Sequence, residues 1–324
     1  MQALSLRKLV RRFGDLVAVD NVDLDIEEGG IYGLLGPNGA GKSTIIHLTC
    51  GLLKADSGSI SVFGADTRQE ADRTRRSIGM VPQDIALYPD LTALENVMFF
   101  AGLYETGRRK GGAASPTGSG LTKPLKTRAM EALSFVGLEE YAGKFPKTFS
   151  GGMKRRLNIA CAIAHAPKLI IMDEPTVGID PQSRNHILDS VQELNRRGST
   201  IIYTSHYMEE VEALCSRIAI MDHGKVIAEG TAQELTSLVS DTGSVAITLE
   251  SVKDLDLASL KGLLGVRHVE LEENTVRIDS THDVRNLDKI IALLSDRTIR
   301  HIESKTPDLE TVFLSLTGRT LRDN

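Results

Sequence analysis

At 324 residues, 41% of them hydrophobic, the chain is long enough to bury a large core and to form two domains. A formal net charge of -5 argues against a protein whose main task is gripping nucleic acid, and the three cysteines, far apart within apolar helical patterns, exclude a disulfide framework or a cysteine metal site. No apolar run approaches the ~18 residues that cross a bilayer, and the start, "MQALSLRKLVRRFG", lacks the apolar centre of a signal peptide, so a cytosolic protein is expected.

In chain order the first elements read as strands: "ALSLRKLV", "NVDLDI" and then "IYGLL". The last is a continuous apolar run, as expected of a strand buried on both faces of a parallel sheet. It feeds "GPNGAGKST", a complete G-x-x-x-x-G-K-[ST] loop that opens into the helical pattern "KSTIIHLTCGLL". The candidate phosphate-binding residues are therefore Gly36, Asn38, Gly39, Ala40, Gly41, Lys42, Ser43 and Thr44. Backbone N–H groups at Gly39, Gly41, Lys42 and Ser43 can converge on phosphate oxygens at the positive end of the helix. Lys42 is expected to reach the β- and γ-phosphates and the Ser43 hydroxyl to ligate Mg²⁺.

Strands "SISVFG" and "SIGMVP" follow, and Gln83, just past the second, is an uncharged group placed to touch both Mg²⁺ and a lytic water. From about 84 to 166 the strand signals vanish and helical periodicity takes over, so a helical insertion interrupts the sheet. Within "IALYPDLTALENVMFFAGLY", Phe99, Phe100 and Leu103 are either core of the insertion or a contact surface for a partner. The Gly-, Ser- and Pro-rich stretch over 105–124 reads as a mobile surface loop, its Arg108, Arg109, Lys110 and Lys123 either solvated or facing anionic lipid or a partner protein. In "FSGGMKRRL", Ser150 can cap a helix beginning near Gly151. Lys154, Arg155 and Arg156 then fall in a first turn, where the helix dipole disfavours cations and an incoming triphosphate is expected to relieve them.

The apolar run "KLIIMDE" ends in Asp173 and Glu174: the first is expected to hold Mg²⁺ through water, the second to polarise an attacking water in phosphoryl transfer. "STIIYTS" leads to His206, whose imidazole is placed to hydrogen-bond a γ-phosphate and the surroundings of that carboxylate, or is structural or merely exposed. Strands "RIAIMD" and "KVIAEG" complete an α/β domain over 1–232. After a Ser/Gly/Asp break, 244–324 reads β-α-β-β-α-β, the ferredoxin-like order, without a catalytic constellation, so docking or regulation is its expected task.

The phosphate loop, Gln83, Ser150-Gly151-Gly152, Asp173-Glu174, Asp180 and His206 occur in an order that resembles the nucleotide-binding subunit of an ATP-binding cassette (ABC) transporter, over about residues 1–230. The resemblance implies a P-loop NTPase core with an antiparallel β subdomain and helical insertion, acting on ATP with Mg²⁺. Adenine would stack on Phe13. Such subunits pair head to tail with a second copy or a similar cassette, so Ser150, Gly151, Gly152, Met153 and Asp180 would act on the ATP held by the partner, and polytopic membrane subunits would come from other chains. The subunit would then sit peripherally on the cytoplasmic face of the membrane. The chain departs from the usual Leu-Ser-Gly-Gly-Gln at Phe149 and Met153, and Ile179 stands where Leu is common. "SHYMEEVEALCSRIAIMDHGKVIAEGT" and "TPDLETVFLSLTGRTLRDN" are similar to a subgroup that exports drugs, lipids or polysaccharide-like cargo. The alternatives are an import-type subunit, or a soluble cassette ATPase acting on DNA or ribosomes, whose usual coiled coils, zinc modules or second cassette have no counterpart in this sequence.

Overall fold

The computed structural model of the chain describes residues 1–105, 123–239, 242–253, 255–281, 286–305 and 308–318. Arg108, Arg109 and Lys110 of the expected loop lie outside the described residues. Internal contacts divide the protein into two units, Met1–Thr231 and Ala232–Thr320.

The first unit opens with a hairpin of β1 (Gln2–Phe13) and β2 (Leu16–Glu27), turned at Gly14 with φ 57°. After β3 (Ile31–Leu35) and α1 (Lys42–Thr49), strands β4 (Ser57–Val62) and β5 (Ala65–Asp66) join the hairpin in an antiparallel sheet of order β2-β1-β4-β5. Helix α2 (Ala71–Ser77) leads to β6 (Ile78–Val81). Helices α3 (Ala93–Gly102), α4 (Leu125–Phe135) and α5 (Gly151–Ile163) pack on one another as the insertion. The chain then returns through β7 (Leu169–Asp173), α6 (Pro181–Arg196), β8 (Thr200–Thr204), α7 (Met208–Leu214), β9 (Arg217–Asp222) and β10 (Lys225–Gly230). The central sheet has the order β10-β9-β3-β8-β7-β6, parallel except for edge strand β10.

Every residue of β3, β7 and β8 is buried, which is why these strands read as unbroken apolar runs. Leu4, Leu6 and Ile26 of the hairpin share one core with Leu34, Ile46 of α1, Ile171 and Ile202, so the phosphate-loop helix is clamped between the two sheets. In the insertion, Thr92 and Glu95 form a reciprocal capping box that starts α3. Fully buried Asn96 donates to the carbonyls of Tyr88, Leu91 and Thr92 and fixes the approach to that helix. Cys161 and Cys215 are buried thiols and Cys50 is half-buried; none forms a disulfide. Among the described residues no helix is long and apolar enough to cross a membrane.

The second unit begins with α8 (Ala232–Val239), followed by β11 (Thr242–Leu249), α9 (Leu257–Lys261), β12 (Val266–Glu272), β13 (Thr275–Thr281), α10 (Leu287–Leu293) and β14 (Ile299–Lys305). It closes with α11 (Leu309–Thr317), which packs on α8. The strands form an antiparallel sheet of order β12-β13-β11-β14, the split β-α-β arrangement, over a core that includes Ile247, Val276, Ile278 and Ile290. Asp308 caps α11: its carboxylate accepts from the Thr311 hydroxyl at 2.7 Å and from Thr311 N at 2.8 Å, and those bonds hold its pKa below the usual range. The stabilisation is present above the unfolded carboxylate pKa of roughly 4 and is lost as pH falls through the lower folded value. Asp308→Asn should therefore flatten the loss of stability between about pH 4 and pH 2, a difference read by melting both proteins across that range.

Candidate functional site

The phosphate loop leaves the end of β3 and turns into α1 at Gly41, whose φ of 104° and close approach to Ala18 O leave no room for a Cβ. Beyond it Lys42 is 6% exposed, and its Nζ donates to Gly36 O at 2.6 Å and Pro37 O at 3.1 Å, inside its own loop. Burial lowers the Lys42 pKa, and the charges of Glu174 and Asp173 oppose that shift. Asn38, Gly39 and Ser43 are exposed on the loop, Thr44 is half-buried, and Ala40 is buried. Phe13 stands at the tip of the β1–β2 hairpin, 43% exposed, with the Arg11 guanidinium 4.6 Å from its ring centre.

The carboxylates lie at the end of β7, between β6 and β8. Asp173 is 4% exposed and accepts from the Thr204 hydroxyl at 2.8 Å, while the same hydroxyl oxygen accepts from Glu174 N at 2.9 Å. Glu174 takes a left-handed φ of 48°, unusual for a side-chain-bearing residue and of the kind found at functional turns. Gln83 Nε2 donates to its Oε2 at 2.9 Å and His206 Nε2 stands 2.7 Å from its Oε1. The structure thus brings together three residues that lie far apart in the sequence. A carboxylate only accepts, so the Gln83 amide nitrogen faces Glu174 and its oxygen is left for other work; by the same logic the His206 proton sits on Nε2. His206 Nδ1 is buried and without a hydrogen-bond partner. Ser43 hydroxyl, Gln83 amide oxygen and Asp173 carboxylate are hard oxygen donors, a set that suits Mg²⁺.

Ser150 caps α5, its hydroxyl accepting from Met153 N at 3.2 Å. Gly151 is exposed, with Ile179 Cδ1 at 3.9 Å the nearest atom to where its Cβ would stand. Gly152 is buried, and a Cβ there would collide with Ser183 of α6. Asp180 caps α6 by accepting from Ser183 N at 2.9 Å, so the N-termini of α5 and α6 abut. Met153 and Lys154 are half-buried. The expected basic first turn of α5 needs correction. Arg155 is buried and donates to Pro82 O and Gln83 O, and Arg156 donates to Val136 O. As the fifth and sixth residues of α5, both lie beyond its first turn and are spent on carbonyls of other segments, so neither awaits an anion at the helix end.

Glu210 belongs to no motif in the sequence, yet it is a hub of the site. It is 1% exposed in α7; its Oε2 accepts from Thr176, Tyr203 and Ser205 hydroxyls at 3.0, 2.8 and 2.6 Å, and its Oε1 from Arg184 Nε at 2.6 Å. One carboxylate therefore joins the turn after Glu174, the second turn's edge of α6 and the residue before His206. A signal was available: Glu210 lies one residue before Val211 and four before Leu214, on the helix's buried face.

Fold and site together define a nucleotide-hydrolysing P-loop cassette. Residues 19–177 match the ABC transporter family. The linearmycin resistance ATP-binding protein LnrL of Bacillus subtilis (strain 168) is 45% identical across 99% of this chain and 100% of its own length. The daunorubicin/doxorubicin resistance ATP-binding protein DrrA of Streptomyces peucetius is 36% identical across 99% of this chain and 94% of its own. Among solved structures, a dimeric ATP-binding cassette in a post-hydrolysis state bound to ADP and Pi is similar with a TM-score of 0.59 and 30% identity, covering 70% of this chain and 98% of that one. The chain belongs to the ABC transporter family. It is the ATP-hydrolysing subunit of an export-type transporter, and the import and DNA- or ribosome-directed alternatives find no support among these relatives.

The crowding at Gly152 makes a local prediction. Gly152→Ala should lower the melting temperature, since Ser183 and the α6 cap must shift, whereas Gly151→Ala has open space and should melt within about 0.5 kcal/mol of wild type in a denaturant titration.

Proposed function

We propose that the chain works as half of a head-to-tail pair, with a second copy or a similar cassette, in which each phosphate loop is completed by the α5 N-terminus of the partner. The observation that carries this reading is the division of labour within one chain. Gln83 and His206 converge on Glu174, while exposed Gly151, beside the Ser150 cap, faces outward at the start of a 13-residue helix whose first N–H groups have no intrahelical acceptor. In this arrangement Lys42 engages the β- and γ-phosphates and Phe13 stacks on adenine. Ser43, the Gln83 amide oxygen and, through water, Asp173 hold Mg²⁺, which supplies neutralising charge to the phosphate oxygens. Glu174 draws the proton from the attacking water as it bonds to the γ-phosphorus and the bond to ADP breaks. His206 holds Glu174 in place, and Ser150, Gly151, Gly152, Met153 and Asp180 act on the partner's nucleotide.

We further propose that separate polytopic membrane subunits seat on the insertion from the cytoplasmic side. Tyr88 and Phe99 pack edge to face with centroids 4.8 Å apart, and Ile85, Tyr88, Phe99 and Leu103 are 40%, 46%, 42% and 56% exposed. Beside them Leu52, Arg75, Arg76, Leu103 and Tyr104 line a cavity of about 380 Å³. An exposed aromatic patch of this kind supports an interface more than a core. The names of the resistance relatives support an antibiotic-like cargo.

Glu174→Gln should keep ATP binding, reduce turnover by about 100-fold or more and accumulate an ATP-bound dimer visible by size-exclusion chromatography. Unchanged ATPase activity would remove Glu174 from the chemistry. Mixing Lys42→Ala chains with Gly151→Asp chains should restore activity above either parent, because one composite site then carries both lesions and the other carries none. A mixture that forms dimers yet is no more active than its parents would count against shared sites.

A further inference from the structure

Helix α5 carries outward-facing Gly151 at its start and, one turn on, buried Arg155, 4% exposed. Its Nη1 donates to Pro82 O at 2.6 Å and its Nη2 to Gln83 O at 2.5 Å. A guanidinium is planar and its fork rigid, so two such bonds fix the orientation of the peptide they grip. Asn158, three residues on and on the same helix face, donates to Asp84 O at 3.3 Å. Three successive carbonyls of the segment leaving β6 are thus held by α5. Burial lowers the Arg155 pKa, countered by the more distant charges of Asp84 and Asp173. Pulling the fork off its carbonyls would strand a charge out of water, so α5 and the 82–84 segment move as one body. The side chain of Gln83, the middle residue of that segment, contacts Glu174.

We propose that Arg155 is a positioning residue that ties α5 to Gln83, so that capture of a nucleotide at the Ser150–Gly151 end of α5 sets Gln83 against Glu174 in the chain's own site. The proposal rests on the head-to-tail reading above. It makes one helix the link between the two composite sites: what the partner's nucleotide does to α5 is read at this chain's carboxylate.

The test compares full-length wild type, Arg155→Met and Arg155→Lys in two assays. Binding of a fluorescent ATP analogue at protein concentrations that keep the chain monomeric reads the phosphate loop alone, and ATPase rate against ATP concentration reads the coupling. Arg155→Met should bind the analogue within about twofold of wild type, while turnover falls about tenfold and the Hill coefficient drops from about 2 towards about 1. Arg155→Lys keeps the charge but lacks the fork, and should recover part of both. Wild-type rate and cooperativity in Arg155→Met would overturn the proposal, as would loss of analogue binding in both variants, the mark of a purely structural residue. Should Arg155→Met fail to fold, Arg155→Lys decides: reduced cooperativity with intact analogue binding supports the link, and wild-type cooperativity overturns it. Failure of the pairing itself is read separately, in the Lys42→Ala and Gly151→Asp mixture, where Arg155 is native in both chains.

Discussion

Asp173 and Glu174 are adjacent anions held 4% and 5% exposed, and burying two such charges side by side demands donors from every direction. The strand order supplies them. Because β7 lies between β6 and β8, with all three parallel, their carboxyl ends share one edge of the sheet. Gln83 arrives from β6, and Thr204 and His206 from β8, while the Lys42 charge approaches from beyond β3. A reordering of the sheet would leave the carboxylates without these partners, so the topology and the chemistry are one constraint. The left-handed backbone at Glu174 belongs to the same solution, since the turn aims its carboxylate between Gln83 and His206.

The parts of this arrangement that could be read from sequence are those where physics restricts the alphabet. Parallel strands covered on both faces need contiguous apolar residues, which exposed "IYGLL", "LIIMD" and "TIIYT" at once. The phosphate loop was legible because Gly41 stands where no Cβ fits. The illegible parts are buried charges. Arg155 and Glu210 sit in helices among other charged residues, and a charge in a polar run is ordinarily solvated. Nothing local in "MKRRL" distinguishes Arg155 from half-buried Lys154, because the carbonyls that satisfy Arg155 lie more than seventy residues away, after β6. Glu210 differs from exposed Glu209 by one local cue, its place on the apolar phase of α7, but the donors that seal it come from three other segments.

These two hubs have opposite sign for a physical reason. The segment leaving β6 exposes backbone carbonyls that need donors, and a guanidinium offers several in one plane. The segment around the end of β8 presents hydroxyls from Tyr203 and Ser205, joined by Thr176, which need an acceptor, and a carboxylate gathers them on one oxygen. Each hub therefore anchors one of the two side chains that grip Glu174: Arg155 holds the backbone of Gln83, and Glu210 holds the residue before His206. Each also reaches a helix N-terminus, α5 through Arg155 itself and α6 through Arg184, and those two termini meet where Gly152 touches Ser183. The contacts close a ring from Glu174 through Gln83, Arg155, α5, α6, Glu210 and His206 back to Glu174. Arg155, Glu174 and Glu210 are buried members of that ring, and none of the three shifts alone without stranding a charge, so under the proposed coupling a displacement imposed at either helix end is passed to the carboxylate.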